Sequence, residues 1–153
     1  MSEGEAITIL IADDDEEDRV LTQEALSGAR LVNDLRFVVD GQDLMDYLRH
    51  EGEYTAGASA APVPGIILLD LNMPKLDGRE ALAEIKSDPG LMRVPVIVLT
   101  TSSAERDVLD AYKHRANAYV TKPIDLDEFV SAVASIEQFW LTFVRLPEHA
   151  SSS

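Results

Sequence analysis

The sequence predicts an α/β fold: a doubly wound, five-stranded parallel sheet carrying five helices, the last of them extended. Three observations point there. Short apolar runs alternate with helical patterns along the chain, as in successive βα units. Three of those runs, Ile-Thr-Ile-Leu-Ile-Ala, Ile-Ile-Leu-Leu and Val-Ile-Val-Leu, are almost continuously apolar, as strands buried on both faces are. The length of 153 residues suits one domain, since a chain of about 150 residues can bury roughly two-thirds of its unfolded surface in one core.

The elements follow in order. Ile7–Ala12 is the first strand, and Asp15–Gly28 the first helix, opened by a run of carboxylates that suits the positive end of a helix dipole. Leu35–Val39 is the second strand and Gln42–Gly52 the second helix. Thr55–Gly65, rich in Ala, Pro and Gly, is a loop. The third strand is Ile66–Leu69, after which Asp77 and Gly78 form the turn that opens a helix over Gly78–Ser87. The fourth strand is Val96–Leu99, and Ser102 with Glu105 makes a capping box for a helix over Ser103–Arg115. The fifth strand is Ala118–Val120, and Asp125 with Glu128 caps a final helix over Leu126–Leu146. The domain thus runs over 6–146, with flexible, frayed termini at 1–5 and 147–153.

The final helix carries two apolar stripes. At about 100° per residue, Leu126, Phe129, Val130, Val133, Trp140 and Val144 share one face, enough to dock the helix on the sheet. Ile136, Phe139, Phe143 and Leu146 form a second stripe beside it. That stripe is either a thicker core or a subunit interface, which makes these residues the candidates for a homodimer contact.

Composition narrows the function classes. At 46% hydrophobic and 27% charged residues the chain reads as globular. No apolar run approaches the roughly 20 residues of a membrane-spanning helix. Met1-Ser2-Glu3-Gly4-Glu5 has the wrong sign for a signal peptide. The absence of cysteine excludes disulfides, thiolate metal sites and cysteine nucleophiles, and fits a cytoplasmic protein. Against 13 Lys and Arg stand 28 Asp and Glu, a net charge of −15, so direct binding to DNA or RNA is not expected. Eight of the carboxylates lie within residues 1–18, where there is no basic side chain. Of these, Asp15, Glu16, Glu17 and Asp18 read as a solvated helix face.

In an open α/β sheet, ligands bind beyond the carboxyl ends of the strands. The first strand here ends in Asp13 and Asp14, the third in Asp70, the fourth in Thr100, and the fifth delivers Thr121, Lys122 and Pro123. Converging carboxylates repel each other unless a cation sits among them. Hard oxygen ligands in a small site point to Mg²⁺. With a lysine and a hydroxyl facing it, Asp70 is then a nucleophile for phosphoryl transfer, forming an acyl phosphate. Lys122 neutralises the transferring oxygens and Thr100 donates a hydrogen bond to one of them.

The segment Leu68-Leu69-Asp70-Leu71-Asn72-Met73-Pro74, followed by Asp77-Gly78, resembles the phosphoacceptor motif of bacterial response-regulator receiver domains. Asp13-Asp14, Thr100 and Lys122-Pro123 match further receiver positions in order and spacing. The resemblance implies the flavodoxin-like receiver fold over most of the chain. It implies phosphorylation of Asp70 by a sensor histidine kinase, with Asp13, Asp14 and the Asn72 backbone carbonyl around the Mg²⁺. It also implies switch roles for Thr100 and Tyr119 and a cis Lys122–Pro123 bond. Leu99–Glu105, Ile124-Asp125-Leu126, Phe139-Trp140-Leu141 and Arg79-Glu80 are similar, more narrowly, to the single-domain regulators paired with bacterial and cyanobacterial phytochromes, whose extended last helix takes part in homodimers.

One departure is Thr101, where receivers usually carry a small Ala or Gly; its side chain narrows access to the acceptor. No output domain is expected after the receiver, so its output is contact with another protein. Two other classes compete: a dimeric adaptor with little phosphate dependence, and an aspartyl-phosphate phosphohydrolase of the haloacid-dehalogenase type. The second needs an acid two residues after the nucleophile, and Asn72 cannot deliver a proton.

Overall fold

The computed structural model describes residues 7–27, 32–55, 61–71, 73, 78–100, 116–122 and 124–134. Five strands, β1 (Ile7–Ala12), β2 (Val32–Val38), β3 (Ile66–Asp70), β4 (Val96–Thr100) and β5 (Ala118–Thr121), form one parallel sheet in the order β2-β1-β3-β4-β5. Four α-helices accompany them among the described residues: α1 (Glu16–Ser27), α2 (Gly41–Arg49), α3 (Gly78–Ser87) and α4 (Leu126–Ala134). The helix expected over Ser103–Arg115, its Ser102–Glu105 cap and the final helix beyond residue 134 lie outside the described residues.

Alternation along the strands explains the apolar runs. Leu10, Ala12, Ile67, Leu69, Val96 and Val98 face one side of the sheet, where Leu44, Leu48, Leu82 and Ile85 of α2 and α3 cover them. Ile9, Ile11, Ile66, Leu68, Ile97 and Leu99 face the other side, against Leu26 of α1 and the fully buried Phe129 of α4. A strand with cover on both faces leaves little room for polar residues away from its ends, and the one in β1, Thr8, is satisfied by Asp34. The residues of the first apolar stripe that are described, Leu126, Phe129 and Val130, all pack in this second cluster.

Differences from expectation are local. β2 begins three residues earlier than the hydrophobic pattern indicates, because an edge strand tolerates polar side chains. There Asp34 accepts hydrogen bonds from Thr8 Oγ1 at 2.8 Å and Arg36 Nε at 3.0 Å. α2 is capped by Asp40, whose carboxylate accepts from Asp43 N at 2.7 Å, while the Asp43 carboxylate accepts from Val39 N at 3.1 Å. The helix ends early because His50 adopts a left-handed conformation, φ 56° and ψ 49°, and a 3₁₀ turn over Gly52–Tyr54 replaces its expected last turn. The Asp125–Glu128 cap forms, with Glu128 N donating to Asp125 Oδ2 at 3.0 Å.

Candidate functional site

The strand order reverses between β1 and β3: the chain leaves β1 for β2 on one side and returns to β3 on the other. A crevice opens at the carboxyl ends of strands at such a point. Asp13, directly after β1, and Asp70, the last residue of β3, stand at its two lips, and both are buried. Asp14 is exposed beside them. One carboxylate oxygen from each of Asp13, Asp14 and Asp70 lies within 4.8 Å of the others.

Lys122, one residue past β5, reaches into this group with its side chain only 7% exposed. Its Nζ donates to Asp70 Oδ2 at 3.1 Å and to Asp18 Oδ2 at 2.8 Å. It also lies 2.9 Å from Asp13 Oδ2. That third contact is an ion pair off the hydrogen-bond axis, so Asp13 Oδ2, fully buried, has no directional partner. Burial alone pulls the lysine toward deprotonation. The hydrogen bond to Asp18 and the charges of Asp70 and Asp13 outweigh it and hold its pKa above the ordinary value. Lys122 is therefore a fixed positive charge.

The loop from β1 to α1 is held by its own carboxylates. Asp13 Oδ1 accepts from Asp15 N at 3.0 Å, and Arg19 donates to the Asp13 carbonyl at 2.8 Å. Asp15 caps α1, accepting from Glu17 N at 2.8 Å and Asp18 N at 3.1 Å. On the β3 side, Gly78 N donates to the Leu71 carbonyl at 3.1 Å and brings the start of α3 onto the backbone of Asp70 and Leu71.

These residues fit a hard divalent cation. Three carboxylates, Asp13, Asp18 and Asp70, contact one ammonium, Asp14 stands beside two of them, and the buried Asp13 Oδ2 lacks a hydrogen-bond donor. An all-oxygen set of few carboxylates is the donor chemistry of Mg²⁺ or Mn²⁺ rather than of zinc.

The structure thus brings Asp13, Asp14, Asp70 and Lys122 together, as their strand-end positions imply. Thr100 closes β4 opposite Thr121, one step beyond Leu99, the register partner of Asp70. Tyr119 is half-buried in β5 and packs against the α2–α3 side of the core. The Thr100 hydroxyl, Asn72, Pro123, Ile136, Phe139, Phe143 and Leu146 lie outside the described residues and side chains.

One expectation needs correction. Asp15, Glu16 and Glu17 are exposed as a solvated helix face should be, but Asp18 is not part of it. Its carboxylate is 29% exposed and bonded to Lys122. The i,i+4 rule for a shared helix face does not reach from Asp14, which precedes α1, so no local pattern marked Asp18. Its like-charged neighbours masked it.

The fold and this site define a receiver. Residues 9–134 match the model of the response regulator receiver domain, and the chain belongs to that family. Response regulator Rcp1 of Synechocystis is 45% identical over 139 residues, covering 91% of this chain and 92% of Rcp1. The Mn²⁺-bound structure of Rcp1 superposes with a TM-score of 0.70 at 44% identity, over 88% of this chain and 94% of that one. The bacteriophytochrome response regulator AtBRR gives a TM-score of 0.79 at 35% identity, over 89% and 96%. The phosphorylated cyanobacterial phytochrome response regulator RcpA gives 0.72 at 45% identity, over 90% and 96%. Within the family, the chain is related to the phytochrome response regulators. Among the described residues, no helix is long and apolar enough to cross a membrane.

Proposed function

We propose that this protein is a cytoplasmic phosphorylation switch that accepts a phosphoryl group on Asp70 from a sensor histidine kinase, a phytochrome, and signals by protein contact. The observation that carries this reading is the Lys122 ammonium 3.1 Å from Asp70 Oδ2, with Asp13 and Asp14 beside the same carboxylate. The reading extends the receiver over 6–146.

A carboxylate is ionised at neutral pH, so Asp70 needs no general base. One Asp70 oxygen forms a bond to phosphorus as the bond from phosphorus to the donor imidazole nitrogen breaks. The electron pair of that bond stays on the nitrogen, and a proton taken from water at the other ring nitrogen lets the imidazole leave neutral. Lys122, permanently charged, stabilises the negative oxygens of the transferring group. Asp13, Asp14 and Asp70, with the Asn72 backbone carbonyl, are the residues that would hold Mg²⁺. A bound Mg²⁺ supplies further charge neutralisation at the phosphoryl oxygens.

Thr100 and Tyr119 are the switch residues of this reading. The Thr100 hydroxyl turns toward the phosphoryl oxygens, and Tyr119, half-buried, repacks behind it, which alters the face around β5. The only chemistry is self-directed: phosphotransfer to Asp70 and hydrolysis of the acyl phosphate. The second stripe of the final helix, Ile136, Phe139, Phe143 and Leu146, joins two copies as a homodimer.

The test is phosphorylation by acetyl phosphate in Mg²⁺, read on an intact-protein mass spectrum. Wild-type protein gains one phosphoryl group and Asp70→Asn gains none. Labelling of Asp70→Asn to the wild-type extent overturns the reading.

A further inference from the structure

Lys122 is the cation in contact with the Asp13, Asp18 and Asp70 carboxylates, and its chain end is mobile by nature. A lysine stem has four rotatable bonds, and fixing it costs rotamer entropy. Something must hold the ammonium where phosphate is to arrive.

Two of its three carboxylate contacts cannot do this throughout a reaction. Asp13 and Asp70 belong to the oxygen cluster suited to a divalent cation, and Asp70 loses its carboxylate charge when it becomes an acyl phosphate. Asp18 lies outside that cluster. Its contact with Lys122 Nζ, at 2.8 Å, is the shortest of the three.

Asp18 is also well anchored. It stands in the first turn of α1, and its own N–H is tied to the capping Asp15 carboxylate at 3.1 Å. It meets Lys122 across 104 positions of sequence, joining the start of α1 to the end of β5. At 29% exposure its carboxylate keeps contact with water, so a charged hydrogen bond forms there at less desolvation cost than at the buried Asp13.

We propose that Asp18 is a positioning residue: it holds the Lys122 ammonium over Asp70 before, during and after phosphoryl transfer. The inference rests on the phosphoacceptor reading of Asp70 and adds a residue to it. Asp18 touches neither phosphate nor metal and acts only through the lysine.

The experiment measures the rate of Asp70 phosphorylation by acetyl phosphate at saturating Mg²⁺. In that step an Asp70 oxygen bonds to phosphorus, the phosphorus–oxygen bond to acetate breaks, and acetate leaves with the electron pair. Asp18→Asn slows the step by about three- to tenfold, the scale expected for a misplaced but intact catalytic charge. Asp18→Glu restores the rate to within about twofold, because the carboxylate is regained. In a Lys122→Gln background, Asp18→Asn adds no further loss.

A second readout needs no double variant. The ¹⁵N-resolved Lys122 ammonium resonance, slowed in exchange by its hydrogen bonds, is visible in wild type and lost in Asp18→Asn. A wild-type rate and an unchanged ammonium signal in Asp18→Asn overturn the proposal. So does equal slowing by Asp18→Asn with and without Lys122. Phosphorylation that persists in Asp70→Asn overturns the phosphoacceptor reading instead, and the ammonium signal still reports on the Asp18 contact.

Discussion

Gly78 lies so close to Asp70 that a β-carbon on the glycine would stand 2.4 Å from the aspartate's carbonyl oxygen. The same carbon would meet the Leu71 Cα at 2.6 Å. Both obstacles are backbone, which cannot swing aside as a side chain does. The absence of a side chain at Gly78 is what lets α3 start against the end of β3.

Gly78→Ala therefore pushes α3 and the Asp70 strand end apart. Overpacking of this kind costs about 1–3 kcal/mol, read as a lower urea midpoint with an unchanged slope. Because Asp70 itself is displaced, phosphorylation by acetyl phosphate falls by about tenfold or more. An unchanged midpoint would show that the contact yields freely.

Lys122→Gln leaves the buried Asp13 and Asp70 carboxylates facing each other with no ammonium between them. Breaking a buried ion pair by removing one partner costs about 3–5 kcal/mol. The loss is full in EDTA and is reduced by Mg²⁺, which supplies the missing positive charge. The pH dependence follows from the raised lysine pKa. A base held above its unfolded value, about 10.4 for lysine, contributes its whole stabilisation below that pH. The contribution is lost as pH rises through the folded value. In EDTA, the stability gap between wild type and Lys122→Gln is accordingly flat from neutrality to about pH 10 and closes above it. A gap that closed on acidification from pH 7 to 6 would contradict this.

Tyr54 donates its phenol to Asp43 Oδ1 at 2.9 Å. Burial, then that hydrogen bond, push its pKa above the ordinary tyrosine value. Tyr54→Phe removes one hydrogen bond to a charged acceptor, a loss of about 1–2 kcal/mol at pH 7 for a half-buried pair. The Asp43 carboxylate keeps its bond from Val39 N, so α2 remains capped. Since the phenol's folded pKa is raised, its contribution is complete below about pH 10 and declines as pH rises from there through the folded value. Denaturation at pH 7 and at pH 11 checks this: the gap between the two proteins is smaller at the higher pH.

Phe143→Glu tests the proposed dimer. The change places a charge in the middle of the stripe Ile136, Phe139, Phe143 and Leu146, and it converts a dimer to a monomer by light scattering at micromolar concentration. The acceptor site is remote in sequence from this stripe, and phosphorylation of Asp70 proceeds as in wild type. A mass unchanged by the substitution would remove the stripe from the interface.

Ile7–Ala12 and Gly78–Ser87 could be read from sequence to the residue, because burial on both faces of a strand and a helical repeat leave direct marks in composition. The strand-end group Asp13, Asp14, Asp70 and Lys122 was legible for the same reason: polar residues that interrupt apolar runs in a parallel sheet have one end of the sheet to occupy. β2 was less legible, since an edge strand is free of the two-sided burial that makes the pattern. The early stop of α2 at His50 was hidden as well, because a left-handed histidine carries no periodic signal. Two things belonged to tertiary structure alone. One is the closeness of Gly78 to the Asp70 backbone, a contact between segments whose spacing no local pattern records. The other is the separation of Asp18 from its acidic neighbours. Nothing in the run of six like charges from Asp13 to Asp18 tells which carboxylate beyond the strand end meets Lys122; that depends on where β5 ends relative to α1, a distance set by the packing of the sheet. The excess of acid at the start of the chain, and the separation of Asp13 and Asp14 from the solvated Asp15, Glu16 and Glu17, were plain in the sequence, and the assignment of Asp18 to Lys122 required the fold.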